Sequence, residues 1–275
     1  MSADLLNHEP PLRLSVFLGI LGLMVLWEWL GPRRARAVPR WRRWPGNLGV
    51  ALLDTVLARV IAPAGAVGFA LLAESNGWGV FHHVPMPDWL ALLLSLLVLD
   101  LAIYGQHRVL HAVPALWRLH RMHHADVDFD VTTGARFHPL EILLSLGIKF
   151  VVVALLGAPP VAVLLFEIAL NATAMFNHSN VRMPAAVERA LRWLVVTPDM
   201  HRVHHSVVTC ETNSNFGFNF PWWDRLFRTY VPQPAAGHEG MTIGLGEFRD
   251  PKELRLDRML TQPFRQEDDA PSSSL

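Results

Sequence analysis

Apolar residues in this chain gather into long runs rather than short alternations. Leu12 to Leu30 is nearly unbroken apart from Arg13 and Glu28, Leu48 to Ala73 is interrupted by Asp54 and Arg59, and Trp89 to Ala102 only by Asp100. Glu141 to Met175 is apolar except for Lys149, Glu167 and a few small or polar positions. A run near twenty residues covers about 30 Å of hydrocarbon as a helix. The pattern predicts an all-α, polytopic helical membrane protein with about four to five membrane helices. Glu141 to Gly157 and Val161 to Phe176 are each a little short for a span, and Pro159-Pro160 makes a tight turn between them. They form a helical hairpin that either crosses fully or dips in and returns. Lys149 and Glu167 lie at similar distances from that turn, which sets them level as a structural ion pair, or as part of a substrate or proton path.

Composition supports this reading: 51% of residues are hydrophobic and only 17% charged, low for a water-soluble domain. Lys and Arg balance Asp and Glu at 24 each, so no global field recruits nucleic acid. Arg33, Arg34, Arg36, Arg40, Arg42 and Arg43 crowd the segment after the first run, whereas residues 1–12 carry Asp4 and Glu9 and no Lys or Arg. The positive-inside rule places that cluster in the cytoplasm and the N-terminus outside. A cleaved signal peptide is not expected, because the basic residues follow the apolar run instead of preceding it. Span two, about Leu48 to Ala73, then exits outside into a loop, Glu74 to Asp88, that has no Lys or Arg. Span three, about Trp89 to Leu110, returns to the cytoplasm. Beyond residue 180 the chain becomes a cytoplasmic cap of short helices, with an acidic and serine-rich tail at 266–275 expected to be disordered.

Three histidine clusters fall on the cytoplasmic side in this topology: His107-Arg-Val-Leu-His111, His120-Arg-Met-His123-His124 and His201-Arg-Val-His204-His205. Positions i, i+3 and i+4 of a helix share a face, so each cluster presents its imidazoles to one point. Imidazole suits Zn, Fe, Cu and Ni. Eight converging donors exceed the roughly four that one zinc needs and suggest two metals. His178 is a further candidate ligand, and His138 is favoured as a residue that supports the ligands rather than joining them. His8, His82, His83 and His238 are expected at the surface. Neutral imidazoles call for carboxylates on their outer N–H groups, and Asp100, Asp126 and Asp199 are the candidates. Asp100, Tyr104, His107 and His111 form one stripe at helical spacing. The single cysteine, Cys210, excludes a disulfide framework, a thiolate-held cluster and a CxxC redox pair.

The order of the three boxes, with Arg-Phe-His-Pro-Leu-Glu at 136–141, Asn177-His178, Thr-Pro-Asp-Met at 197–200, Asn-Phe-Gly from 215 and Trp-Asp-Arg-Leu-Phe at 223–227, resembles the fatty acid hydroxylase/sterol desaturase superfamily. The resemblance runs from about residue 100 to 230, within what reads as one domain over 1–275. It implies a membrane-embedded di-iron centre held by the eight box histidines, with His178 as a ninth candidate. With O2 as co-substrate, the site would hydroxylate or desaturate a fatty acyl or sterol-like lipid by hydrogen abstraction and hydroxyl rebound. Some relatives carry another histidine four residues before His178, where this chain has Ala174. No fused cytochrome b5-like domain is apparent, so electrons are expected from an external donor: a ferredoxin, a cytochrome b5-like protein or a reductase. A bacterial inner membrane is the expected location. The competing class is a histidine-rich, zinc-binding membrane protein without redox activity, with a structural or transport role; zinc also substitutes readily in nitrogen-rich iron sites.

Overall fold

A computed structural model describes residues 8–266. The expected disordered tail lies outside these residues apart from Gln266. Among the described residues there is no named strand, and the only β pairing is two isolated bridges, Pro32 with Val181 and Ser206 with Ile243. Five helical stretches are long and apolar enough to cross a membrane: 9–30, 40–82, 88–112, 139–156 and 160–177. The protein is a polytopic helical membrane protein.

Helix α1 is Glu9–Leu30, α2 Arg40–Ile61, α3 Gly65–Ser75, α4 Asp88–Ala112, α5 Pro114–His124, α6 Pro139–Leu156 and α7 Pro160–Asn177. The cap follows as α8 Ala185–Leu191, α9 Pro198–His204, α10 Thr209–Thr212, α11 Trp222–Leu226, α12 Gly237–Gly240 and α13 Leu256–Thr261. The expected second span, 48–73, is two helices rather than one. Pro63 has no N–H to donate and forces Ala62 out of the helical region, to φ −132°, ψ 75°. The hairpin α6–α7 has two arms of 18 residues, about 27 Å each at 1.5 Å per residue, which brings them close to the full hydrocarbon thickness.

An apolar core fills the space between α3, α4, α6 and α7, with Leu99, Ile103, Val153, Val163, Leu164 and Phe166 nearly inaccessible and Phe69 stacked on Phe150 at 4.4 Å. Helix α1 lies along α7. Glu167 accepts from Lys149 Nζ at 2.6 Å, as the hairpin register predicts, and also from Arg13 Nη1 of α1 at 2.9 Å, tying three helices at one level.

The histidine end is held by buried charge. Arg43 grips Asp126 in a bidentate pair, both contacts at 2.7 Å, and reaches Asp130 at 2.7 Å and Thr133 at 3.0 Å. Burial pushes the Asp126 carboxyl upward, but Arg43 and Arg136 outweigh that and hold it down at about 2. Glu28, fully buried at the end of α1, accepts from the backbone of Val131 and Asn180, both at 2.8 Å, and from Arg40 at 2.6 Å. These contacts join the first two helices to the loops on either side of the hairpin.

Arg43→Met strands Asp126 and Asp130 without their cation and is expected to destabilise the protein by about 3–5 kcal/mol. Thermal unfolding in detergent should show a clearly lower midpoint, and an unchanged midpoint would remove the network from the fold's supports.

Candidate metal centre

The histidine boxes converge at one end of the bundle, and they sort into two sets. Nitrogens of His107, His111, His120, His124 and His204 lie within 4.8 Å of one another, as do those of His123, His178, His201 and His205. The boxes therefore do not each serve one point, as helical spacing alone predicts. In the second box His120 and His124 face the first set while His123 faces the second; in the third box His201 and His205 face the second while His204 faces the first. Successive residues of a helix diverge by about 100°, so a short helix lying between two centres divides its ligands between them. The two longer boxes are used in the same way with the roles of the centres exchanged.

Local structure explains the delivery of each side chain. Pro114 opens α5 directly after α4, so the first two boxes are contiguous in space. Thr197-Pro198-Asp199-Met200 is a helix start, in which Thr197 Oγ1 accepts from Met200 N at 3.3 Å and Pro198 occupies a first-turn position. Asn215 adopts φ +50°, and its side chain donates to Met200 O at 2.9 Å. A Cβ at Gly217 would meet the Asp224 carboxylate at 2.7 Å, where that carboxylate now accepts from the backbone of Phe216 and Gly217, both at 2.8 Å. The Asn-Phe-Gly turn and the residue before it thereby aim two carbonyls, of Phe216 and Ser214, at the histidines.

Those carbonyls fix the tautomers. His107 Nδ1 donates to Phe216 O at 2.8 Å, His204 Nδ1 to Ser214 O at 2.7 Å and His178 Nδ1 to Ala174 O at 2.7 Å. His120 Nδ1 donates to Glu141 Oε1 at 2.8 Å and His111 Nδ1 to Asn213 Oδ1 at 3.2 Å. A neutral imidazole protonated at Nδ1 has a bare lone pair on Nε2. Yet His107 Nε2 lies 3.0 Å from both His120 Nε2 and His204 Nε2, and His178 Nε2 lies 3.1 Å from His123 Nε2 and 3.0 Å from His201 Nε2. In the first set both rings of each close pair are fixed at Nδ1, and opposed lone pairs at this distance require a cation between them. Protons are poor candidates: burial, reinforced by the neighbouring imidazoles, pushes His123, His124, His201, His204 and His205 well below the ordinary histidine value. Burial, with a smaller push from His120, takes His178 down to about 3.

Buried nitrogens without partners point the same way. His205 Nδ1 and Nε2, His123 Nδ1 and His201 Nδ1 have no hydrogen bond. The donor set thus fits a pair of transition-metal ions. Two nitrogens about 2.1 Å from a metal and at right angles are separated by ~3.0 Å, against ~3.4 Å for a tetrahedron, so the observed spacing suits more than four ligands per metal.

The residues expected to support the ligands behave differently. Asp100 accepts from the backbone of Asn219 and Phe220 and from Trp223 Nε1, and Tyr104 bonds Thr229 at 2.8 Å; neither touches an imidazole through these bonds. Asp126 is occupied by Arg43. Asp199 pairs with Arg202 and Arg33, and burial, which raises it, is outweighed by Arg202, His238 and Arg33. His138 caps α6, its Nδ1 accepting from Leu140 N at 3.2 Å and its Nε2 donating to Leu260 O at 3.2 Å, so it starts a helix rather than orienting a ligand. The carboxylate that does reach a box histidine is Glu141, in the first turn of α6, where it also suits the helix dipole. Its position in Arg-Phe-His-Pro-Leu-Glu was the available signal. His238 is buried beside Asp199 at 3.6 Å, not at the surface.

Below the histidines the environment is aromatic. Phe137 stacks on His123 at 4.5 Å, and Phe218 lies 6.2 Å from His107 and His201 and 6.4 Å from His178, continuous with the apolar core. On the other side His111, half-buried, packs against Trp117 at 4.8 Å.

A family model described as fatty acid hydroxylase matches residues 92–229. The chain is 28% identical over 238 residues to an ornithine lipid hydroxylase of Rhizobium tropici, covering 82% of this chain and 70% of that protein. It is 25% identical over 238 residues to an alkylglycerol monooxygenase of Xenopus tropicalis, covering 83% of this chain and 48% of that one. It is also 28% identical over 156 residues to human cholesterol 25-hydroxylase, covering 54% of this chain and 52% of that protein. The chain therefore spans about half the length of two of these three relatives. No solved structure matches it.

Two substitutions separate the sets. Glu141→Ala frees His120 and is expected to weaken metal binding at the first set 10–100-fold, read by competition with a chelator. A Cβ at Gly134 would meet Ala174 O at 2.5 Å and His178 Nδ1 at 3.2 Å. Gly134→Val should therefore displace His178 and drop the metal content of the folded protein toward half, whereas full loading would show that His178 is dispensable.

Proposed function

The chain belongs to the fatty acid hydroxylase family, and from that premise we propose that it is an O2-dependent membrane oxidoreductase that hydroxylates a lipid at a di-iron centre. The carrying observation is that nine histidines form two sets with Nε2 atoms about 3 Å apart directly above an apolar floor inside a bundle of membrane helices. Bound there, two iron ions would supply the O2 activation that an unactivated C–H bond demands. His107, His111, His120, His124 and His204 would hold one, and His123, His178, His201 and His205 the other. The relatives named above are hydroxylases and monooxygenases, which favours oxygen insertion over desaturation.

The protein's own part is binding, orientation and exclusion of water. Carbonyls on His107, His178 and His204 and the Glu141 carboxylate on His120 occupy Nδ1 and leave Nε2 of these rings free to bind a metal. Phe137 and Phe218 separate the nitrogens from the apolar core, so a fatty acyl or sterol-like substrate approaches from the membrane side with its polar end toward the cap. Water is kept from the reacting carbon by the same wall. The arginines at 33–43 lie at the histidine end, through Arg33 to Asp199 and Arg43 to Asp126, and by the positive-inside rule this supports a cytoplasmic position for that end, in a bacterial case at the inner membrane. Electrons come from an external donor at that face, a ferredoxin, a cytochrome b5-like protein or a reductase. One domain carries spans and site together.

The test is protein purified with iron supplied, then given reductant, labelled O2 and a membrane lipid extract. About two irons per chain, and one labelled oxygen atom in a product lipid, are expected. Stoichiometric zinc that iron does not replace, with no O2 consumed on reduction, would overturn the reading in favour of a structural or transport role. His123→Ala and His204→Ala should each lower metal content and abolish product formation; full turnover in either would remove that residue from the ligands.

A further inference from the structure

Asp100 lies midway along α4, seven residues before His107, and so about 10 Å deeper in the bundle at 1.5 Å per residue. Its fully buried carboxylate accepts from the backbone N–H groups of Asn219 and Phe220, both at 3.3 Å, and from Trp223 Nε1 at 2.8 Å. Asn219 O accepts from Val196 N at 3.0 Å, its side chain bonds Thr173 of α7, and Asn177 Nδ2 donates to Phe218 O at 3.0 Å. A cap segment that belongs to none of the five candidate spans therefore packs between the middle of α4, at Asp100, and the last two turns of α7, at Thr173 and Asn177, on the membrane side of the histidines. Irregular backbone at that depth needs its N–H groups satisfied by protein. Asp100 does this for two of them.

The outer surface of the wedge is apolar. Leu226 is 66% exposed, Trp193 and Leu194 59% each, Phe227 44% and Trp222 40%. The two tryptophans are tied together: Trp222 Nε1 donates to Trp193 O at 2.7 Å, Phe220 stacks on Trp222 at 4.4 Å, and the Arg225 guanidinium lies 3.8 Å over the Trp193 ring. Arg189 and Arg228 are exposed nearby in sequence, and exposed Arg108 lies 5.9 Å over the Tyr104 ring, on which Phe227 stacks. Indoles and large aliphatic groups beside arginines are the chemistry of the zone between acyl chains and phosphates. Set in water, so broad an apolar patch would be a liability.

We propose that residues 191–196 and 218–227 form a re-entrant, lipid-facing element of this protein. Trp193, Leu194, Trp222, Leu226 and Phe227 contact acyl chains, and the neighbouring arginines reach lipid phosphates. The occupant of this face is the bilayer. The proposal stands apart from the reaction assigned to the histidines, since it rests on depth and surface chemistry alone.

The test uses the full chain in nanodiscs of phosphatidylcholine and phosphatidylglycerol, with nitroxide labels at Leu194→Cys and Leu226→Cys in a Cys210→Ser background. Leu155→Cys, on the exposed face of α6, is the lipid reference and Glu239→Cys, on the cap, the aqueous one. Relaxation by O2 relative to chromium oxalate should be several-fold higher at 194 and 226 than at 239, and close to that at 155. A ratio like that at 239 would overturn the proposal, and protection from both agents would overturn it in favour of a protein partner such as a second copy. A measurement without labels uses brominated acyl chains. Trp222→Phe should lower the quenched fraction of tryptophan emission, and an unchanged fraction would count against lipid contact at that face.

Discussion

Everything at the histidine end depends on unprotonated imidazole nitrogens facing one another at about hydrogen-bond distance with no proton to share. In the first set a carbonyl or carboxylate on Nδ1 removes the tautomer that would relieve the repulsion, and burial disfavours the imidazolium of His107 and His204 that would also relieve it. The arrangement makes physical sense only as a receptor for cations. It is also expensive to assemble without them, because each buried nitrogen that lacks a partner forfeits its hydration.

That cost explains the density of buried charge just outside the histidines. Arg43 with Asp126 and Asp130, Arg136 on Met122 O and Asn47, and Glu28 between Val131 and Asn180 are all almost inaccessible. None of these groups donates to or accepts from a box imidazole in those contacts. Each holds a turn next to one: Arg136 fixes the carbonyl of Met122, between His120 and His123, and Arg43 fixes the loop that follows His124. A single rigid frame is what allows ligands from four separate segments to meet within a few ångströms.

Much of this was legible along the chain, and the reason differs from part to part. Spans follow from uninterrupted apolarity, so four of the five appear close to their expected limits; the second is interrupted because Pro63 acts on the backbone without changing hydropathy. Box histidines follow from spacing. Their division between two sets does not, because it depends on where α5 and α9 lie relative to each other. Asp126 and Asp199 are the carboxylates that lie near the boxes in sequence, but arginines placed 83 and 166 residues earlier claim both. The carboxylate that reaches His120 lies 21 residues downstream, across a turn whose closure only the fold determines. His238 reads as a surface residue because nothing local signals the pocket beside Asp199 that buries it.

The two sets are alike in plan and unequal in support. Four of the five nitrogens opposite Nε2 in the first set have a hydrogen-bond partner at Nδ1, one of them a carboxylate. In the second set only His178 has one, while His123, His201 and His205 have none. A hydrogen-bonded Nδ1–H both fixes a ring and makes its other nitrogen a stronger donor. The first set is therefore the more rigid and the more basic, and among the described residues Glu141 is the one carboxylate bonded to a histidine of either set. The second set has four histidines, with Ala174 rather than an imidazole one helical turn before His178, and it is walled by Phe129, Phe137 and Phe218. Charge placed there has fewer protein groups to answer it, in a place shielded from water. An arrangement of that kind leaves the second centre more dependent than the first on groups that are not part of the chain.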